Sequence, residues 1–277
     1  MYKDIVVRLD MGNGNQAVVD YAVSAAKVLG AHITGIAIAL IPNIPGASMG
    51  YLPIEKIEAT RQANEAAAEA AVEYFIKATA SAGVSSEAQI LRADFSKAAQ
   101  RFSRVARRFD IAIVAQAEPN VKAIQATIAE ATLFESGRPM IVVPYIQKTR
   151  LKLDRVMVCW DGSRTAVRAI ADAIPLLEKT NDIEVVKIVT SERHKGEEFD
   201  GADMGLHLAR HGFKVQVTRI QQDSVDAANA LLSHCADSGA DFMIMGGYGH
   251  SRLREFVLGG VTRSILSSMT VPTLMSH

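Results

Sequence analysis

Between Met243 and Leu266 the chain reads MIMGGYGHSRLREFVLGGVTRSIL, with glycines at 246, 247, 249, 259 and 260. Glycine is costly to order, so a cluster of it marks backbone that needs unusual angles or close approach. Gly246-Gly247-Tyr248-Gly249 follows an aliphatic run, Asp241–Gly246, that reads as a strand; Gly259-Gly260 opens a helical pattern, Gly260–Ser268. A loop from a strand end to a helix N-terminus gathers free N–H groups on one spot and adds the positive end of the helix dipole. Phosphate is the natural occupant, and Arg252 and Arg254 would add charge-assisted contacts. Close packing at Gly246, or a purely structural role for the whole cluster, are alternatives that the sequence leaves open. The run is not a P-loop, since no Lys-Ser/Thr follows its last glycine. It is not the GxGxxG turn of a dinucleotide fold, which follows the first strand rather than the fourth.

Other groups that could do chemistry are sparse. Cys159 and Cys235 lie far apart in apolar surroundings and read as buried free thiols. No CxxC or Cys/His ligand spacing is present, so no metal ligands are assigned. His250 lies in the glycine run, while His207, His211 and His234 read as ordinary helix residues. No GxSxG nucleophile elbow occurs, and neither first-strand end carries the SGGxDS type of loop used by adenylating pyrophosphatases. Nothing reads as a general base for water, so the chain is expected to be a binding protein, with at most weak hydrolysis of a phosphate ester.

These residues must be positioned by the elements around them, and those elements occur twice. DIVVRLDMGNG (Asp4–Gly14) resembles RVMVCWDGSRT (Arg155–Thr165), DIAIVAQ resembles DFMIMGG, and RPMIVVPY resembles TVPTLMS. The polar, basic stretch Gln147–Leu153 marks the boundary, giving repeats over 1–147 and 152–277. Each alternates strands with helices, which predicts an α/β fold with two similar open, parallel, Rossmann-like sheets of five strands each. Strands are expected at Asp4–Leu9, His32–Ala39, Glu87–Leu91, Asp110–Ala115 and Met140–Val143, then at Arg155–Trp160, Ile183–Val189, Lys214–Ile220, Asp241–Gly246 and Val271–Met275. The first repeat differs in a Pro/Gly loop, Ile41–Pro53, and an Ala/Glu-rich helix to about Ala82. Lys plus Arg equals Asp plus Glu at 30 each, so no net charge points to nucleic acid or an anionic membrane. No apolar run approaches a membrane span and the N-terminus does not read as a signal peptide, so the default location is cytoplasmic.

The second repeat resembles a universal stress protein domain, and the whole chain resembles the tandem-type member of that family. ATP-binding members carry Gly-x-x-Gly, nine residues, then Gly-Ser/Thr. Here Gly246-Gly247-Tyr248-Gly249, the nine residues HSRLREFVL and Gly259-Gly260 match in spacing, with glycine at 260 in place of the hydroxyl residue. The resemblance implies an adenine nucleotide alpha hydrolase-like fold and ATP, with Mg²⁺ carried by its phosphates, in the second repeat only. It implies nucleotide contacts from Asp161, from the backbone of Ile188, and from Met245, Gly246, Gly249, His250, Arg252, Gly259, Gly260, Val261 and Thr262. Asp161 can equally be a cap or turn residue for the helix near Ser163, or serve both roles. The first repeat keeps Asp10 but has AQAEPNVKA where the glycines should be, and Glu118 would repel phosphate, so it is expected not to bind ATP in the family manner. The resemblance also implies that the last strands of the repeats pair with each other, and a homodimer is a further expected assembly. The leading expectation is a stress-response regulator or sensor that binds ATP. The rivals are a nucleotide-independent protein acting through protein partners or another ligand, and a slow ATP hydrolase.

Overall fold

The structure is a computed structural model that describes residues 1–10, 14–42, 54–118, 123–148, 150–189, 201–221, 226–248 and 260–277. The chain divides into two compact units, Tyr2–Arg138 and Pro139–His277. In the first, the elements run β1 (Asp4–Leu9), α1 (Gly14–Leu29), β2 (His32–Ile41), α2 (Ile54–Ala82), β3 (Ser86–Asp94), α3 (Phe95–Ala106), β4 (Ile111–Ala115) and α4 (Ala123–Glu135). Its strands lie in the order β3-β2-β1-β4, with parallel pairing throughout.

The second unit contains β5 (Met140–Val143), β6 (Arg155–Cys159), α5 (Arg164–Leu177), β7 (Asp182–Val189), α6 (Ala202–Arg210), β8 (Val215–Gln221), α7 (Ala227–Ser238), β9 (Phe242–Gly246), α8 (Val261–Ser268) and β10 (Thr273–Ser276). The order is β5-β10-β9-β6-β7-β8. All pairs are parallel except β5 with β10, which run antiparallel with Thr273 opposite Val142 and Met275 opposite Met140. Each repeat contributes five strands, but β5 is grouped with the second unit because it is hydrogen-bonded to β10. The division by contacts therefore falls ahead of Gln147–Leu153. β10 starts at Thr273 rather than Val271, since Pro272 has no N–H to give to a ladder.

The strand sequences explain their places. β1, β6 and β9 are central, covered on both faces, and read as nearly continuous apolar runs. The outer strands β3 and β8 alternate between exposed and partly covered positions. In α2 the buried residues Ala68, Ala71, Phe75 and Thr79 form one stripe at helical spacing. Gly35 on β2 makes room for Phe75, whose ring would stand 2.8 Å from a Cβ there. Among the described residues no helix is long and apolar enough to cross a membrane.

Candidate functional site

In the second unit the chain leaves β6 toward β7 on one side, and leaves β9 toward β10 on the other. The carboxyl ends of β6 and β9 therefore flank the switch in strand order, where open α/β sheets leave a crevice. Of the expected site residues that the structure describes, Asp161, Met245, Gly246, Gly260, Val261 and Thr262 lie at these two ends and at the start of α8, and Ile188 lies on β7.

At the end of β6, Trp160 N–H donates to Val186 O at 2.9 Å. The β6–β7 ladder ends with that bond, while β7 continues against β8 as far as Val189 opposite Gln221. Residues two apart on a strand turn their N–H and C=O the same way, so the Ile188 backbone faces the side that β6 has vacated. Asp161 follows Trp160 and is exposed. Its Oδ1 accepts from Ser163 N–H at 2.9 Å, across Gly162 with φ +75°. Ser163 is the N-cap of α5, its Oγ accepting from Ala166 N–H at 3.1 Å. Asp161 is thus a turn residue and Ser163 the cap, with Asp161 Oδ2 without a hydrogen bond among the described residues.

At the end of β9, Gly246 lies tight against the first turn of α5. A Cβ there would stand 2.5 Å from Ala166 N and 2.6 Å from Thr165 Oγ1, so close packing alone requires glycine. Gly247 N–H donates to Ser276 O at 2.8 Å. Tyr248 adopts φ +50°, a left-handed conformation uncommon for a non-glycine residue, and its N–H donates to Thr262 Oγ1 at 3.0 Å. Thr262 is buried in α8, so this bond ties the two flanks of 249–259 together. Gly260 is the N-cap of α8 in extended conformation and gives no side-chain cap, unlike Ser163 on α5 and Asp226 on α7. Among the described residues no side chain caps the first N–H groups of α8, the feature that suits an anion. Val261 is exposed, whereas the Met245 side chain is buried in the sheet. Gly249, His250, Arg252 and Gly259, together with Arg254, lie outside the described residues.

The neighbouring thiols are not nucleophiles. Burial, with smaller contributions from Cys235 and Asp161, pushes the Cys159 thiol far above its usual range, and burial first pushes Cys235 up to about 11.

The matching end of β1 in the first unit is built differently. Asp10 is 2% exposed and ion-paired with Arg8, itself 6% exposed. Burial lowers the Arg8 guanidinium to about 10, which leaves it charged at neutral pH. In the repeat alignment Arg8 stands where Cys159 stands in the second unit.

Sequence reasoning missed a second polar cluster. Glu184 of β7 is 2% exposed and accepts from Thr218 Oγ1 at 2.6 Å and from Arg155 Nη2 at 3.1 Å, with His234 Nε2 at 2.8 Å from Oε1. The signal was a lone Glu inside the apolar run IEVVK. The cluster pins α7 to the sheet through His234, near the amino end of β6, away from the crevice.

An open, mostly parallel α/β sheet whose strand order switches between β6 and β9 is a Rossmann-like fold. Residues 152–277 match the universal stress protein family model, Usp. A curated universal stress protein of Synechocystis is 24% identical over 172 residues, covering 60% of this chain. The match spans only 57% of that relative's length. Two solved structures resemble nearly the whole chain. A universal stress protein from Archaeoglobus fulgidus superposes with a TM-score of 0.72 at 17% identity, covering 99% of this chain and 95% of its own. A functionally unknown protein from Pseudomonas aeruginosa PAO1 does so with a TM-score of 0.62 at 13% identity, covering 99% and 92%. At these identities the likeness establishes the fold.

Proposed function

We propose that the chain is a tandem universal stress protein whose second unit binds an adenine nucleotide in the β6–β9 crevice. The observation that carries this reading is the uncapped start of α8 at Gly260, tied by Thr262 to Tyr248 at the end of β9. Phosphate would take the α8 N–H groups, with Arg252 adding positive charge from the glycine run. Asp161 Oδ2 would accept from ribose hydroxyls, and the Ile188 backbone would pair with the base. Mg²⁺ would enter with the phosphates. The residues fit such a ligand in type: donors where phosphate would lie, an acceptor where the sugar would lie.

Among the described residues nothing around the crevice acts as a general base, and on this reading the protein works by nucleotide-dependent conformation with at most weak turnover. Its setting is cytoplasmic stress regulation, with the two repeats paired and a homodimer as the larger assembly. A nucleotide-independent role through protein partners is the competing reading, and Gly260 favours it, since no hydroxyl stands where the family motif supplies one.

Calorimetric titration with Mg-ATP, after extraction of a denatured sample to detect carried-over nucleotide, decides between them. One site per chain, lost in a folded Gly249→Val variant, supports the nucleotide site. No binding and no co-purified nucleotide defeats it. Steady phosphate release abolished by Asp161→Ala would instead favour a hydrolase.

A further inference from the structure

From the end of α6 we infer a second site in the same unit: a surface chelate for a late first-row divalent cation, formed by His207 and His211. The two residues are four apart, so they share one face of the helix. Their rings meet edge to face, with centroids 4.7 Å apart and planes inclined at 64°. Two imidazoles bound through nitrogen at about 2.1 Å, in neighbouring positions on one ion, put their centroids roughly 4.5–5 Å apart. The pair therefore already has the spacing of a chelate.

Three further observations support the assignment. First, both residues are exposed, and among the described residues the two rings meet each other and His211 meets Phe213. Other described histidines are committed elsewhere: His32 Nδ1 to Ser85 Oγ, His234 Nε2 to Glu184, and His277 Nδ1 to the Gly247 carbonyl. Second, Phe213 lies nearly parallel to the His211 ring, with centroids 6.5 Å apart and planes 19° apart, and gives that ring an aromatic neighbour on this surface. Third, His211 is the C-cap of α6, so the ion sits at the negative end of the helix dipole.

The ligand chemistry selects the ion. Neutral imidazole suits copper, nickel and zinc, whereas magnesium and calcium require oxygen ligands. Among the described residues no third His, Cys, Asp or Glu joins the group, so water completes the coordination. Such a site holds an exchangeable ion and not a permanent structural one. This site is independent of the nucleotide reading.

The test uses the full chain without an affinity tag, titrated calorimetrically with Zn²⁺ at about pH 7.5, above the imidazole titration range. The expected result is one Zn²⁺ site per chain, weakened about tenfold or more in both His207→Gln and His211→Gln, because each variant loses the chelate. Mg²⁺ should give no heat attributable to this pair. Cu²⁺ at one equivalent should show nitrogen coupling in its electron paramagnetic resonance spectrum, lost in the double variant. Both positions are exposed, so circular dichroism should confirm unchanged folding. Absence of Zn²⁺ binding overturns the proposal, and so does binding that survives in both variants, which places the ion elsewhere.

Discussion

Replacing Gly246 by alanine asks whether the first glycine of the run serves the fold or the ligand. The new Cβ would stand 2.5 Å from Ala166 N, 2.7 Å from the carbonyl carbon of Thr165 and 2.6 Å from Thr165 Oγ1. The hydroxyl can rotate away, but the two backbone atoms cannot. They belong to the first turn of α5, which Ser163 caps. β9 has no freedom either, being held in the ladder by β6 on one side and β10 on the other. Relief requires α5 and the end of β9 to separate by roughly 1 Å, and overpacking of this kind costs about 1–3 kcal/mol. With backbone on both sides of the contact we expect the upper end. At about 2–4 °C per kcal/mol the melting temperature should fall by roughly 6–12 °C. Thermal and urea unfolding followed by circular dichroism measure it, with the urea midpoint lowered and the slope unchanged. A melting temperature within about 2 °C of wild type would refute the packing argument.

Gly260→Ser should restore a hydroxyl at the N-cap of α8, whose φ of −65° and ψ of 179° suit serine. We expect a few tenths of a kcal/mol more stability and, from one added hydrogen bond worth about 1 kcal/mol, roughly fivefold tighter Mg-ATP by calorimetry. Unchanged affinity would remove position 260 from the phosphate site. Glu184→Gln should cost about 3 kcal/mol at neutral pH, because Arg155 and His234 lose a buried partner. Burial pushes the Glu184 carboxyl up, but hydrogen bonds from Thr218 and His234, the charge of His234 and the bond from Arg155 outweigh it and hold it below the ordinary value. A lowered carboxyl stabilises the fold above its unfolded pKa, and this is lost as pH falls through the folded one. The gap in melting temperature between wild type and variant should therefore be full above about pH 5 and shrink below about pH 4. A gap that stays constant into acid contradicts the pairing. Trp160, the only tryptophan, is buried beside Asp161, and its Nε1 has no hydrogen-bond partner among the described residues, so Mg-ATP should change its emission. An unaltered spectrum under conditions where calorimetry shows binding would place the ligand away from β6.

Local pattern made much of this architecture legible. Continuous apolar runs located β1, β5 and β6 within a residue, because a strand buried on both faces leaves no other reading of such short runs. The glycines marked the strand-to-helix junction for the same local reason. What sequence could not give were contacts between segments distant in the chain. Gly246 read equally well as a ligand glycine or a packing glycine until Thr165 and Ala166 were placed against it. Thr262 was among the expected nucleotide contacts, and nothing local in the sequence indicated that its hydroxyl accepts from Tyr248, fourteen residues earlier. The pairing of Glu184 with residues from β6, β8 and α7 is invisible in a chain that separates them by 29 to 50 positions. His207 and His211 read as ordinary helix residues, and their spacing of four was present in the sequence; the structure adds that α6 brings the two rings into contact.

The two repeats show how one side chain can decide what a shared frame offers. Each first strand ends in the same rhythm, Arg8-Leu9-Asp10 and Cys159-Trp160-Asp161. Residues two apart point to the same face, so the aspartate in each case has position 8 or 159 as its neighbour on that face. In the first repeat that neighbour is a buried guanidinium, and Asp10 is buried with it as an ion pair. Drawing Asp10 away to a sugar hydroxyl would leave Arg8 a buried charge without its partner, a loss of about 3–5 kcal/mol, more than a hydrogen bond to a hydroxyl returns. Glu118 adds a negative charge after β4, where the second repeat has its glycines. In the second repeat the neighbour is a neutral thiol, which makes no claim on Asp161, and that carboxylate stays exposed with one oxygen holding the turn. The frame therefore presents an available acceptor beside an uncapped helix in one repeat and a committed ion pair in the other. If the proposed nucleotide site holds, a single nucleotide per chain is expected from that difference, rather than from any difference in fold.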